Sequence, residues 1–219
     1  MNTYISRTLF VVSMTAGLSL QAGLVSFSPT TAGLINTGVN LAGVEDQSWS
    51  VLPDFDPAVV VSPTHANWIP NDGTSQWIWQ TRDSSTDISN VSVAFALSFD
   101  LPTSYDPAST TVLGQWAVDN EASMFLNGNL VTTAQNTFGG NSGSFGAVND
   151  FSISDYFVAG PNVLKIELDN LSGESWSQNP SGLNVRFEDL QTSVIPEPSA
   201  LLFALTGGIL GLLTIRRRR

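Results

Sequence analysis

The chain has 219 residues, with 8 basic and 19 acidic side chains, no cysteine and a formal net charge of −11. Residues 33–194 hold only three of the cations against 18 acids, which gives this region a net charge of −15. Such a surface repels phosphate backbones and excludes nucleic-acid binding. The lack of cysteine excludes thiol nucleophiles, thiolate metal sites and disulfides.

Residues 1–32 have the pattern of a signal peptide followed by a short leader. Arg7 is the only charge before an uncharged, mostly apolar run from Thr8 to Leu20, which has the length of a signal-peptide core. Small residues follow, but they form no clear small-x-small triplet. Cleavage is therefore expected between Ala22 and Ala32, and an uncleaved anchor helix is the alternative.

Within residues 33–194, apolar residues alternate with small or polar residues at a period of two, which predicts an all-β domain. Val91–Leu101 places apolar and small or polar residues on opposite faces, as in a strand with one buried face. Asn127-Gly128 is a strong hairpin signal. Further strands are predicted at Trp49–Leu52, Ala58–Val61, Gln76–Gln80, Thr110–Val118, Ala122–Val131, Phe145–Ile153, Leu164–Leu168 and Leu183–Glu188. Many short strands separated by turn residues predict an antiparallel β-sandwich or jelly roll.

The sequence contains none of the motifs that mark common catalytic sites. His65 is the only histidine, and no nucleophile elbow accompanies it. One histidine without cysteine cannot form an ordinary zinc site. Four acids are candidates for a glycosidase pair, but no two of them are singled out: Glu121, Glu167, Glu174 and Glu188. We therefore expect a non-catalytic domain, and the alternative is a carbohydrate-active hydrolase with an active site among acidic loops.

Six tryptophans are many for a domain of this size. Trp77 and Trp79 lie on the same face of one predicted strand, and together with Trp116 they are expected in the core. Trp68 and Trp176 stand in polar, loop-like surroundings. These two are the candidates for exposed indoles that stack on sugar rings.

Asp119, Asn120 and Glu121 are consecutive oxygen-bearing residues at the predicted end of a strand. Carboxylate and amide oxygens are ligands that Ca²⁺ accepts, so these three residues are a candidate structural calcium site. The spacing of an EF-hand is absent. The alternative is a strand end whose side chains make local hydrogen bonds in a turn.

Two segments of the domain resemble the galactose-binding-like jelly roll. They are Gly114-Gln-Trp-Ala-Val-Asp-Asn-Glu-Ala-Ser-Met-Phe-Leu-Asn-Gly128 and Asp155-Tyr-Phe-Val-Ala-Gly-Pro-Asn-Val-Leu164. In that group a strand ending in Asp-Asn leads to a Leu-Asn-Gly hairpin, and a Gly-x-Asn-x-Leu turn opens a late core strand. The resemblance implies a jelly-roll fold of the kind used by carbohydrate-binding modules and by non-catalytic domains of glycosidases. It does not identify sugar-contacting residues.

The C-terminal residues 195–219 have three parts in a fixed order. Pro196-Glu197-Pro198 is followed by an uncharged apolar stretch, residues 200–215, and then by Arg216, Arg217, Arg218 and Arg219. Sixteen helical residues span roughly 24 Å, slightly less than a bilayer core. The arginines are expected to stay cytoplasmic, which places the acidic domain outside.

This C-terminal segment is similar to a PEP-CTERM sorting signal. The resemblance implies processing by an exosortase in a Gram-negative bacterium that makes extracellular polysaccharide or biofilm, with an inner-membrane-anchored precursor and a surface or secreted product. A plain tail anchor is the alternative. The sequence as a whole predicts an exported, non-catalytic β-sandwich that associates with polysaccharide; inert surface material and ice binding are further options.

Overall fold

A computed structural model describes residues 23–39, 42–84, 91–134, 144–171 and 179–195. The predicted signal-peptide core, Trp176, Glu174, the Pro196-Glu197-Pro198 motif and the apolar and arginine segments after it lie outside these residues. Within them, no helix is long and apolar enough to span a membrane. Their only helical turns are two short 3-10 turns, Pro29–Ala32 and Pro107–Ser109.

The described residues form eleven strands, most of which coincide with runs of alternating or β-branched residues. The strands are β1 (Leu24–Phe27), β2 (Glu45–Leu52), β3 (Asp56–Val60), β4 (Ile78–Trp79), β5 (Val91–Leu101), β6 (Thr111–Asp119), β7 (Glu121–Leu126), β8 (Asn129–Ala134), β9 (Asn149–Ile153), β10 (Gly160–Asn170) and β11 (Gly182–Ser193). The all-β prediction is confirmed, and so is each predicted strand position, with boundaries that differ by a few residues.

Every strand pairing is antiparallel, and the strands follow the order β8-β7-β10-β5-β2-β3-β4-β11-β6-β9, with β1 paired to β11. The sheet folds over at β3 and β4, so the two halves face each other. Aromatic side chains of the two halves pack against each other. The ring centroids of Trp49 and Phe187 are 6.5 Å apart, and those of Trp79 and Phe95 are 5.8 Å apart. The predicted antiparallel sandwich is therefore confirmed.

The core lies between the two halves and contains the three tryptophans predicted to be buried. Trp77 and Trp79 are fully buried and Trp116 is 2% exposed. Alternation explains the core side of the long strands, since the odd-numbered residues of β5 and the even-numbered residues of β10 point inward. Ile166 is fully buried and pairs with Phe95 on one side and Met124 on the other.

The sandwich begins earlier than the predicted boundary at residue 33. Leu24 to Phe27 pair with Ser193 to Leu190 of β11, and the following 3-10 turn buries Pro29 and Ala32. The predicted leader therefore includes residues that belong to the folded domain. The sequence pattern did not indicate this, because β1 is short and mostly exposed.

The two segments that resemble the galactose-binding-like jelly roll meet in space. Asn127 and Gly128 form the β7–β8 turn with positive φ angles of 50° and 83°, as the hairpin signal predicts. The Asn127 side chain donates to Oδ1 of Asn162 at 2.8 Å and accepts from the backbone N–H of Val163 at 2.9 Å. The hairpin is thereby tied to the turn that opens β10.

Candidate functional site

The expectation that Trp68 is exposed is wrong. Its indole is 5% exposed and is stacked on Trp77, with ring centroids 4.2 Å apart. Its Nε1–H donates to Oδ2 of Asp119 at 2.7 Å. The polar neighbours in sequence belong to a surface loop, but the indole turns inward because its one polar atom has a buried acceptor. Trp68 is not available to stack on a ligand in this conformation, and Trp176 lies outside the described residues.

The oxygens of Asp119 and Asn120 have partners other than a metal ion. Besides the Trp68 contact, Asp119 Oδ1 accepts from Asn120 Nδ2 at 2.7 Å, and Asn120 Oδ1 accepts from the backbone N–H of Leu171 at 2.7 Å. Burial raises the pKa of Asp119 to about 7, against the hydrogen bond from Trp68, which lowers it.

These contacts do not support the calcium prediction at Asp119, Asn120 and Glu121. Among the residues that the structure describes, no group of three or more His, Asp or Glu side chains is arranged to hold a metal ion. The alternative reading of this segment, a strand end with local hydrogen bonds, describes the geometry.

The other candidate residues are distributed over the outer surface. Glu167 forms an ion pair with Lys165 at 2.7 Å, and Glu188 forms one with Arg186 at 2.8 Å. Glu121 begins β7 and lies opposite Asp169 of β10 on the outward face. His65 accepts a hydrogen bond at Nδ1 from the backbone N–H of Asn67 at 3.3 Å. None of these side chains lines the groove at β2 and β5 that is described next.

A groove of about 360 Å³ lies on the outer face of the sheet at β2 and β5. It is lined by Gly33, Ile35, Gln47, Ser48, Ser50, Phe55, Ala96, Leu97 and Ser98. Ser50 is half-buried and pairs with Ala96, which is 4% exposed, on the outward face of the sheet. Their neighbours Trp49 and Leu97 also pair, and they point into the core. The strand side chains that face outward in the groove at Ser48, Ser50, Ala96 and Ser98 are short.

Phe55 forms one wall of this groove. It occupies the turn between β2 and β3 with a φ of 62°, and its side chain is 67% exposed. A bulky residue in the left-handed region is rare and unfavourable. Burial does not account for keeping a phenyl ring there, so the position is a candidate for function.

The groove also presents unused hydrogen-bonding groups. In the described part of the chain, the side chains of Gln47, Ser48, Ser50 and Ser98 have no protein hydrogen-bond partner. Hydroxyls both donate and accept, and an amide supplies two donors and an acceptor. The lining contains no ionisable side chain. The site therefore combines one exposed aromatic face with neutral polar groups.

Sequence reasoning did not identify Phe55. Its context, Pro53-Asp-Phe-Asp-Pro57, reads as a turn, and a single aromatic residue there belongs to no alternating pattern. The signal in the sequence is a large apolar residue between two acids, in a turn where it is not packed into the core.

The backbone is similar to carbohydrate-binding modules and to parts of glycoside hydrolases. No protein-family model matches the sequence, and no curated protein matches it. The family 35 carbohydrate-binding modules of Clostridium thermocellum and Paenibacillus barcinonensis are each 13% identical with a TM-score of 0.35, and cover 68% and 66% of this chain and 94% of each module. A β-glucuronidase of Bifidobacterium dentium is 15% identical with a TM-score of 0.39, over 68% of this chain and 30% of the enzyme.

The chain spans a small part of the enzymes with which it aligns. It covers 17% of the length of a β-glucuronidase from glycoside hydrolase family 2 and 31% of one from an uncultured Clostridium species.

Proposed function

We propose that this β-sandwich binds polysaccharide, without cleaving it, through the groove beside Phe55. The observation that carries the proposal is the exposed Phe55 ring, held in an unfavourable backbone conformation above a floor of neutral hydroxyl and amide groups. A sugar ring has an apolar face that packs on an aromatic ring and a periphery of hydroxyls that need donors and acceptors. The groove offers both kinds of contact side by side.

The galactose-binding-like resemblance supports the fold type on which this proposal depends. Its motif residues lie at the end of β6, in the β7–β8 turn and at the start of β10. They serve the architecture, while the groove is on β2 and β5. The resemblance therefore supports the fold type, and the groove supports the ligand class.

Absence of catalysis is part of the proposal, and the alternative is a hydrolase. Cleavage of a glycosidic bond usually needs two carboxyl groups flanking the bond, and the groove lining has none. Glu121 and Asp169, which face each other across β7 and β10, are the pair to test. Release of reducing ends from a polysaccharide panel, lost in Glu121→Gln, would support the hydrolase instead.

Export and exosortase sorting complete the proposal. They are supported by the apolar N-terminal run, by Pro196-Glu197-Pro198 and by the apolar segment before Arg216–Arg219. Mass spectrometry of the protein from a polysaccharide-producing Gram-negative host should find a mature form without Arg216–Arg219. An intact arginine tail on the extracellular form would instead support a plain tail anchor.

The binding test uses the full chain in a detergent without a sugar headgroup, titrated calorimetrically with neutral polysaccharides. Loss of one stacked ring should remove on the order of 1–3 kcal/mol, by analogy with bases stacked on aromatic side chains. Phe55→Ala should therefore weaken binding by roughly 5- to 150-fold, and Phe55→Tyr should retain it.

Tyr156→Ala is the matched control for the binding test. Tyr156 is also an exposed aromatic residue, at 50%, with a φ of 68°, but it lies in another loop. Equal losses in Tyr156→Ala and Phe55→Ala, or no loss in either, would refute the assignment of the groove.

A further inference from the structure

We propose that the groove selects uncharged glycans and discriminates against polysaccharides that carry carboxylates. This inference rests on the proposed function and names the substrate class of the same site. It follows from the charges around the groove, since the lining itself has none. Discrimination of this kind arises when like charges are brought together on binding of the wrong ligand.

Three exposed carboxylates are close in the chain to residues that line the groove. Asp54 and Asp56 flank Phe55 directly in the chain, and both are exposed. Asp100 is also exposed and follows Ser98 by two residues on β5, so it lies on the same outward face. A uronic acid beside the Phe55 ring would bring its carboxylate close to these groups.

The cations of the described residues do not compensate for this charge. Lys165 is the nearest by register, because it pairs with Ala96 on the next strand. Its ammonium group is held by Glu167 at 2.7 Å and lies 4.7 Å from the centre of the Phe125 ring. Arg186 is held on β11 by Asp72 and Glu188, and neither it nor Arg82 lines the groove.

The repulsion should be moderate and sensitive to salt. Unit charges in water interact weakly at the distance of neighbouring strands, so three carboxylates together should weaken binding of an acidic glycan by about 10-fold at low ionic strength. Screening shortens the range of the interaction as salt is added. Binding of a neutral glycan should change little over the same range of salt.

The experiment compares two ligands that differ only at the primary alcohol carbons, which are carboxylates in the second ligand. One is a neutral hexose oligosaccharide that the full chain binds, and the other is the same oligosaccharide with its primary alcohols oxidised to carboxylates. The neutral form should bind about 10-fold more tightly at low salt, and this difference should shrink at high salt.

Variants distinguish the effect of the carboxylates beside Phe55 from the effect of the protein's overall negative charge. The double variant Asp54→Asn with Asp56→Asn should tighten binding of the oxidised ligand several-fold and leave the neutral ligand unchanged. Asp155→Asn, which removes an exposed carboxylate in a different loop, should change neither.

The results distinguish a failure of charge selectivity from a failure of glycan binding. Equal or tighter binding of the oxidised ligand would overturn the charge selectivity and leave glycan binding in place. Failure of every neutral and oxidised glycan to bind would overturn the proposed function together with the inference.

Discussion

The indole nitrogen of Trp68 lies 2.7 Å from Oδ2 of Asp119, in a buried contact between residues 51 positions apart in the chain. The same carboxyl accepts from the Asn120 side chain, and the Asp119 carbonyl accepts from Ser181 Oγ at 2.8 Å. Asp119 thereby connects Trp68, Asn120 and Ser181 through hydrogen bonds. Because burial raises the pKa of this acid to about 7, the stability of the protein should respond to pH through it.

The first prediction concerns Asp119→Asn. An ordinary Asp in the unfolded chain has a pKa of 3.8, against about 7 in the folded state. Between about pH 4 and 7 the folded state retains a proton that the unfolded state has lost, so the contribution of Asp119 to stability is lost as pH rises through this window. The difference in unfolding free energy should amount to at most about 4 kcal/mol, and Asn cannot titrate.

Urea denaturation of both proteins at several pH values measures this prediction. The unfolding free energy of wild type minus that of Asp119→Asn should fall from pH 4 to pH 7 and be constant above it. A difference that is flat, or that rises with pH, would contradict the raised pKa.

The second prediction concerns Trp68→Phe, which keeps an aromatic ring against Trp77 but removes the donor. The Trp68 hydrogen bond lowers the pKa of Asp119, so without it that pKa should move further up. The pH-dependent fall in stability should then extend above pH 7. An unchanged pH profile would show that the Trp68–Asp119 hydrogen bond has no energetic role.

The third prediction concerns Asn127, whose side chain links the β7–β8 turn to Asn162 and Val163. Asn127→Gly keeps a residue suited to the φ of 50° but removes these hydrogen bonds, and should cost about 1–3 kcal/mol. Asn127→Ala should cost about 1 kcal/mol more, because it adds strain in the left-handed region. Denaturation midpoints in the reverse order would contradict this account of the turn.

The fourth prediction concerns Ile166, which is fully buried between Phe95 and Met124. Ile166→Ala should lower the unfolding free energy by about 2–5 kcal/mol. The adjacent Glu167→Ala, on the exposed face, should change it by about 1 kcal/mol or less. A loss below about 1 kcal/mol for Ile166→Ala would mean that the strand faces are assigned wrongly.

The fold could be predicted from sequence where the pattern is long. Val91–Leu101 alternates over its full length, and the structure places β5 at the same residues. Trp68 could not be placed, because its burial depends on Asp119, a partner that no local pattern connects to it. Phe55 could not be found for a related reason: the floor of its groove comes from β5, some 40 residues later in the chain.

The fifth prediction concerns the cost of holding Phe55 in its turn. Glycine adopts the left-handed region without the steric cost that phenylalanine has there, so Phe55→Gly should raise the unfolding free energy by about 1–2 kcal/mol. The greater conformational freedom of glycine in the unfolded chain should lower it again by about 0.5–1 kcal/mol. The variant should thus be as stable as wild type or about 1 kcal/mol more stable, and should bind glycan as weakly as Phe55→Ala does. A less stable variant would show that the ring serves the fold.

The most direct test of glycan binding at this groove is amide chemical-shift mapping by NMR. The labelled full chain, in a detergent without a sugar headgroup, is titrated with the neutral oligosaccharide that it binds most tightly. The largest shifts should fall on Gln47, Ser48, Ser50, Phe55 and Ser98. In Phe55→Ala the same shifts should need a roughly 5- to 150-fold higher ligand concentration. Shifts concentrated at other surfaces, such as the loop of Tyr156, or no shifts at saturating ligand, would contradict the account.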